Sequence, residues 1–253
     1  MSNIKSHWVI GASLVISVIV FSTLDLFKST SKYFFTNKDD ISVTGSATMD
    51  FTSDLIVWNA SFTKKDYDLK TAYKLIKEDR NSINEFLLSK GVKEINITFK
   101  SIDIKKDYKQ KTKFNNDGDK VDIEKIFSGY TLSQMVEISS TDVDLVEKIS
   151  NEVTDLIEKN VFIISHPARY YYTNLGELKI EMIKSAAQDG LLRATTAIEG
   201  GGGDLGELLE TSIGVFQILG KNSNDKFSWG GTLNTVNKKK TAFVNVKQRY
   251  KIE

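Results

Sequence analysis

The chain has 253 residues, of which 40% are hydrophobic and 26% charged, a composition typical of globular proteins and not of disordered or fibrous ones. Lysine and arginine together number 34 against 33 acidic residues, so the near-zero net charge does not favour nucleic acid as a partner. The absence of cysteine excludes disulfides, thiolate catalysis and zinc sites built on cysteine.

An uncharged apolar run at residues 8–24 opens the chain, with Lys5 and Lys28 on either side and Trp8 at its edge. Its length is at the short end of a membrane span, and flanking lysines and an edge tryptophan are typical of one. Such a run has three interpretations: an uncleaved signal anchor, a cleaved signal peptide and a buried core helix. Because Thr23-Leu24-Asp25 is a poor cleavage site and a core helix apolar on every side is unusual at a terminus, the pattern favours the anchor.

These features divide the chain into a membrane anchor over residues 1–27, a polar stalk over residues 28–40 and a folded domain over residues 41–253. The lipid bilayer is the predicted partner of residues 8–24. The positive charges beside the run do not decide its orientation, because long domains are translocated largely regardless of such charges.

The first half of the folded domain alternates strand and helix patterns. Period-two alternation predicts strands at residues 41–49 and 55–63, and apolar residues at helical spacing predict a helix over residues 69–87. A further strand is predicted over residues 95–104. Its alternation slips by one position, which predicts a β-bulge near Lys100–Ser101.

An exposed hairpin is predicted next, because residues 109–125 are polar and contain an Asp-Gly pair. The chain returns as a strand at residues 130–138. The motif Thr141-x-x-Asp144 resembles a capping box, and it precedes an apolar helical stripe over residues 145–157.

The last third contains a predicted strand over residues 161–172 and a helix that begins at Asn174-x-x-Glu177 and ends at Gly200–Gly203. Two final strands are predicted at residues 213–219 and 242–252. The order β-β-α-β-β-α-β-α-β-β predicts an α+β fold of mainly antiparallel sheets packed by three helices. It is compatible with two subdomains, although no internal repeat proves them.

A search for reactive groups predicts no catalytic, metal or cofactor site. His166 stands between Ser165 and Pro167, and strand geometry directs adjacent side chains to opposite faces, so no nucleophile–base pair is predicted. Two histidines are too few for a histidine metal site. The glycines at Gly200–Gly203 follow a helix and precede Asp204, unlike a phosphate-binding loop, which opens a helix.

Two acidic pairs stand at helical spacing, Glu177 with Glu181 and Glu207 with Glu210. General acid–base catalysis requires carboxylates that are buried or paired across a cleft, and nothing in the sequence marks these as such. They are interpreted as solvated helical faces. A hydrolase with a dispersed carboxylate site is therefore the least favoured functional class.

The candidate interaction residues are Arg169, Tyr170, Tyr171, Tyr172 and Trp229. The tyrosines are suited to stack on a ligand, although strand tyrosines more often pack against the core. Trp229, between polar residues and glycines, is either tucked into the core or exposed at an interface.

Short motifs run through the folded domain in a recognisable order. The first are Val43-x-Gly45-x-Ala47, Ser53-Asp54, Gly129-Tyr130 and Asp144-Leu145. The later ones are Arg169, Tyr171, Asn174-Leu175, Glu177-Leu178-Lys179, Ala186-Ala187, Arg193-Ala194, Leu205-Gly206, Gly214–Ile218, Asn222-Ser223 and Trp229-Gly230. Together they resemble the SIMPL-domain family, and the later set looks like its membrane-anchored bacterial subgroup. The resemblance covers residues 41–253, with the long glycine run before Leu205-Gly206 as a departure.

The resemblance implies an α+β fold, an extracytoplasmic location at the inner membrane of a bacterium, oligomers and a loose association with envelope stress. It implies no enzyme activity and carries over no catalytic residue. We therefore expect a membrane-anchored, non-enzymatic structural or interaction module that forms a homo-oligomer. An envelope domain that binds a small ligand or peptide is the alternative, and the sequence identifies no protein partner.

Overall fold

The computed structural model describes residues 40–114 and 120–253, so the predicted anchor at residues 8–24 and the tip of the predicted hairpin lie outside the described residues. None of the helices in these two ranges is long and apolar enough to cross a membrane. The strands are β1 (Asp40–Thr52), β2 (Leu55–Asp66), β3 (Ile97–Phe99), β4 (Asp103–Phe114), β5 (Lys120–Ser140), β6 (Ile163–Ser165), β7 (Arg169–Tyr171), β8 (Leu205–Ile213), β9 (Gln217–Gly220), β10 (Thr232–Leu233) and β11 (Lys239–Ile252). The α-helices are α1 (Leu69–Ser89), α2 (Val143–Glu152) and α3 (Leu175–Glu199), with 3-10 helices at Glu94–Asn96 and Val153–Lys159.

The described chain forms two compact units, each assembled from separate segments of sequence. The first contains the described residues up to Ser46 together with Ala186–Ile213 and Val246–Glu253, and the second contains Ala47–Ser185 and Gly214–Asn245. The pairs that β5 forms with β2, β3 and β4, that β2 forms with β6 and β7, and that β11 forms with β8 and β9 are antiparallel, whereas β9 and β10 are parallel. The predicted α+β class, with mainly antiparallel sheets and three α-helices, is confirmed for the described residues.

The larger unit is built on a six-stranded sheet in the order β3-β5-β2-β6, with β4 also pairing with β5 and β7 with β2. Alternate residues of β2 are fully buried beneath α1 and α2 because the period-two pattern directs them to one face. These buried β2 residues are Ile56, Trp58, Ala60 and Phe62. Burial of each large apolar side chain contributes about 1.5–3 kcal/mol to folding.

Helix α2 begins one residue later than the capping-box motif predicts. The Asp142 carboxylate accepts from the N–H of Leu145 at 3.1 Å, so Asp142 is the N-cap and the predicted start at Thr141-x-x-Asp144 is wrong. The apolar stripe that follows is not one helix, because the chain tightens into the 3-10 helix at Val153–Lys159.

The predicted bulge near Lys100–Ser101 is confirmed by the pairing with β5. Phe99 pairs with Val136 and Asp103 pairs with Ser133, so four steps along one strand face three steps along the other. The extra residue accounts for the slip in the apolar alternation.

The predicted hairpin is confirmed, but its polar residues form strand where a loop was expected. Pairing of β4 with β5 continues out to Phe114 and Lys120, whereas β2 pairs with β5 only over its last eleven positions, from Tyr130 to Ser140. Tyr108–Phe114 and Lys120–Phe127 therefore form a two-stranded ribbon that extends beyond the sheet. We call this segment the ribbon.

Three further predictions about the strands are wrong. The strand predicted over residues 161–172 is two strands, β6 and β7, separated by a segment containing Pro167, which lacks the N–H that a ladder requires. The strand predicted over residues 213–219 is interrupted at residues 214–216, so that Ile213 ends β8 and Gln217 begins β9. Glu207 and Glu210, predicted on a helical face, lie on β8, because antiparallel pairing with β11 determines the structure there.

In the smaller unit β8 pairs with the end of β11, from Val246 to Ile252. In the larger unit β9 pairs with the beginning of the same strand, from Lys240 to Phe243. Both pairings are antiparallel. Seven of the nine side chains of β8 are exposed, so β8 is a solvent-facing edge among the described strands.

Candidate interaction site

The segment Lys226–Thr232, here called the tryptophan loop, presents Trp229 to solvent. The side chain is 102% exposed. The sequence left open whether Trp229 is tucked into the core or exposed, and in the structure it is exposed. Phe227, two residues earlier, is also exposed and packs its ring 5.4 Å from that of Phe243. A tryptophan this exposed is uncommon, because its large apolar surface is usually buried in a core or an interface.

The backbone of the tryptophan loop is held by one buried amide. The Nε2 of Gln217 donates to the carbonyl oxygen of Ser228 at 2.7 Å, and its Oε1 accepts from the N–H of the same residue at 3.1 Å. The N–H of Gly231 also donates to the Ser228 carbonyl, and the Thr232 hydroxyl donates to the carbonyl of Lys226. Trp229 is therefore displayed on a backbone fixed immediately before and after it.

Gly231 is required by this geometry for two reasons. Its φ of +90° lies in the region that side-chain-bearing residues rarely adopt. A Cβ atom there would also stand 2.8 Å from both the carbonyl oxygen of Phe216 and a methyl group of Val215. The loop thus packs closely on the connection between β8 and β9.

A polar cluster organises the base of the loop. The Asp225 carboxylate accepts from the N–H of Gly220 at 2.9 Å and from the side-chain amide of Asn234 at 2.6 Å, and these bonds lower the pKa of Asp225. Lys240 belongs to the same cluster. It is 1% exposed and donates to the carbonyl of Asn237 at 2.6 Å. Burial lowers the pKa of Lys240 to about 8, although the Asp225 charge opposes that shift.

Other apolar side chains near the loop in sequence are also exposed. They are Val215, Leu233 and Val236. Lys179 adds a positive charge 5.4 Å from the ring of Phe216. Exposed aromatic and aliphatic side chains of this kind have the composition of a protein interface.

The predicted tyrosine segment lies in different surroundings. Tyr170 is half-buried against the core and bonds to the Glu147 carboxylate; burial, reinforced by that carboxylate, raises the pKa of Tyr170 to about 12. Tyr172 is half-buried and packs on Phe51 at 5.0 Å, whereas Arg169 is exposed and Tyr171 is half-buried. The structure does not gather these side chains into one cluster. The N–H of Tyr170 donates to the carbonyl of Thr235, three residues after the end of the tryptophan loop, at 2.8 Å.

A shallow polar groove of about 500 Å³ lies between α2 and the connection from β6 to β7. Its lining includes Glu147, Asn151, Ser165, His166 and Tyr170. One wall is fixed by Lys238, which donates to Glu147 at 3.0 Å and to the exposed Asp144 at 2.5 Å. These two carboxylates raise the pKa of Lys238.

Sequence reasoning missed a contact between Ser61 and His166, whose Oγ and Nε2 atoms lie 2.9 Å apart. The chain neighbours of His166 do not indicate this contact, because it is the pairing of β2 with β6 that brings Ser61 beside His166. In the described ranges no carboxylate bonds to the second ring nitrogen, and a serine–histidine contact without an orienting group is a weak basis for catalysis. Those ranges also hold no group of three or more potential metal ligands.

Comparison with known proteins identifies the family but no activity. No curated protein matches the chain. The family model for SIMPL, described as a protein of unknown function (DUF541), matches residues 41–237, most of the predicted folded domain. The chain belongs to the SIMPL family.

Proposed function

We propose that this SIMPL-family protein is a non-enzymatic interaction module that self-associates, with the tryptophan loop as its main contact surface. The observation that carries the proposal is the full exposure of Trp229 on a loop whose backbone is already fixed. Tryptophan is among the residues that dominate interface energies, and a pre-ordered loop loses little further entropy on binding. A monomer gains nothing from holding such a side chain in water.

The proposal also places the module outside the cytoplasm, held at a membrane by residues 8–24. The apolar run and its flanking lysines support this part, together with the family resemblance. A link with envelope stress is its least specific element. If the protein has such a link with envelope stress, a strain lacking it should grow normally in ordinary medium and poorly under envelope-damaging conditions.

Self-association is tested on the full-length protein in mild detergent by sedimentation velocity across a concentration series. We expect oligomers whose dissociation constant rises at least tenfold in Trp229→Ala, since interface tryptophans commonly contribute about 2–4 kcal/mol. Phe162→Ala is the matched control, because Phe162 is an exposed aromatic outside the loop. A wild-type protein that stays monomeric at every concentration rejects the proposal.

Anchoring is tested by washing isolated membranes with alkaline carbonate. The full-length protein should stay in the pellet, whereas Val15→Asp combined with Val18→Asp should release it, because charges at the centre of a span oppose insertion. Digestion of the folded domain by protease added to intact spheroplasts would support the outward orientation. Release of the wild-type protein by plain buffer would exclude the anchor.

The alternative function, binding of a small ligand or peptide, is favoured by the polar groove. Trp58 is a built-in reporter, because its Nε1 donates to Ser165, which lines the groove, at 3.0 Å. In a protein carrying Trp8→Phe and Trp229→Phe, Trp58 is the remaining tryptophan, and small-molecule fractions of envelope extract that shift its fluorescence should lose that effect in His166→Ala. A shift that persists in this variant would place the binding elsewhere.

The non-enzymatic assignment is itself a proposal with a direct test. The pair formed by Ser61 and His166 is the arrangement most able to contradict it. If purified protein hydrolyses any ester or amide substrate, and both Ser61→Ala and His166→Ala abolish that turnover, the assignment is overturned.

A further inference from the structure

Two strand edges in this protein lack a neighbour among the described strands and carry opposite charges. One is the outer edge of β4, which pairs only with β5, and the other is the outer edge of β8, which pairs only with β11. An exposed edge offers a row of free N–H and C=O groups to any further strand. Proteins usually cover such edges or break them with charge.

The edge of β4 is basic where it forms the ribbon. Residues 108–114 contain Lys109, Lys111 and Lys113 and no acidic residue. Their cross-strand partners are the regular series Ile126, Glu124 and Asp122, so the three lysines project from one face of the ribbon. Lys113 also pairs with Glu124 at 3.2 Å within the ribbon, and both side chains stay about half exposed. A two-stranded ribbon is only marginally stable in water and gains stability from a third strand.

The edge of β8 has the opposite character. Its residues 205–213 contain Glu207 and Glu210 and no basic residue. The exposed apolar residues of this strand are Leu208, Leu209 and Ile213. A long, exposed and partly apolar edge is a site where another strand adds.

We infer that the β4 edge of the ribbon in one copy adds to β8 of a second copy. Opposite charges across a strand pair stabilise it, whereas two β4 edges would place lysines against one another and two β8 edges would place glutamates together. The interface therefore joins two different surfaces, the β4 edge of one copy and the β8 edge of the next. Repeated contacts of this kind close into a ring or extend into a filament. This inference rests on the proposed self-association and adds a second contact to the tryptophan loop.

Charge exchange on the full-length protein in mild detergent tests the inference. Changing Lys109, Lys111 and Lys113 to Glu should weaken self-association about tenfold, because each opposite pair contributes a factor of about 1.4 to 5. Changing Glu207 and Glu210 to Lys should do the same. The protein that combines Lys109→Glu with Glu207→Lys should recover association relative to either single change, because Lys109 faces the uncharged Ile126 and its reversal places no like charges opposite one another within the ribbon. Glu210 also accepts a hydrogen bond from Arg249, so changing it removes a contact within the same copy. Glu207→Lys alone is therefore the second variant on β8.

The control for charge is a triple change to Glu at Lys70, Lys74 and Lys77, which are exposed on α1. It alters the net charge equally and should leave association unchanged. Unfolding curves confirm that each variant is folded. Wild-type association should also weaken in 0.5 M NaCl, which screens exposed pairs.

Disulfide trapping gives an independent reading, because the chain contains no cysteine. A Thr112→Cys protein mixed with a Thr211→Cys protein should form a mixed dimer under mild oxidation, faster than either protein links to itself. No mixed dimer, or association that depends on Trp229 but not on these charges, overturns the inference and leaves the proposed function standing. A wild-type protein that never associates overturns both.

Discussion

Gly45 on β1 lies directly against Gly190 on α3: a Cβ atom on Gly45 would stand 2.7 Å from the Cα atom of Gly190 and closer still to its backbone nitrogen. Backbone atoms cannot move aside as a flexible side chain can. We therefore expect Gly45→Ala to lower the free energy of unfolding by about 3 kcal/mol or more, the upper part of the range for overpacked cores. Urea denaturation followed by circular dichroism measures this.

Gly176→Ala is the matched control, because a Cβ atom there meets nothing within 4 Å and the residue lies in α3. Alanine is the better helix former, so this variant should be as stable as the wild type or slightly more stable. Equal stability of Gly45→Ala and Gly176→Ala would show that β1 and α3 do not approach each other this closely.

Lys240 should make stability depend on pH. Its folded pKa is about 8 and its ordinary value is 10.5, so between these values the unfolded chain binds more protons than the folded one. The free energy of unfolding should therefore rise with pH across this window, by about 3 kcal/mol at most, and the group should contribute no slope below pH 8. Urea titrations from pH 7 to pH 10 measure the slope.

Lys240→Met should remove that slope while keeping the aliphatic stem in place. Lys239→Met is the control, since Lys239 is exposed and its loss should leave the slope intact. A slope that survives in Lys240→Met would mean that other groups produce it.

Loss of the Gln217 amide should loosen the tryptophan loop. Gln217→Ala removes two hydrogen bonds to Ser228, with an expected cost of about 1–3 kcal/mol, and should speed cleavage by trypsin after Lys226. Gln134→Ala is the control, because Gln134 is also buried and donates to a backbone carbonyl, that of Lys100. Equal cleavage in the two variants would show that the amide does not hold the loop.

Tyr170→Phe separates a structural role for the tyrosine segment from a binding role. It removes the hydroxyl that bonds to Glu147 and should lower the free energy of unfolding by about 1 kcal/mol without changing self-association. Tyr171→Phe, on the same strand, should change neither quantity. A Tyr170→Phe protein that keeps its stability but loses association would assign the segment to the interface.

The sequence predicted most of the strands and helices because their apolar periodicity is a local property of the chain. Even the bulge after Phe99 was visible as a slip in that periodicity. β8 was missed because its two glutamates and the two leucines between them fit a helical face equally well, and only pairing with β11 decides between the structures. Asp142 was missed as a cap because a neighbouring threonine fits the same motif.

The candidate site was only partly predictable. Trp229 was recognisable from its glycine neighbours, but its exposure depends on Gln217, eleven positions before Ser228, and no sequence pattern marks that contact. The contact of Ser61 with His166 joins residues 105 positions apart and follows only from strand register. Contacts of this kind are set by tertiary structure and leave no local signal.

The two bonds from Gln217 also bear on how fast complexes of this protein form and separate. Because the loop is already ordered when the chain folds, an encounter need not wait for it to rearrange. Variants at position 229 should then share similar association rates and differ in the lifetime of the complex, which surface plasmon resonance on the full-length protein would resolve.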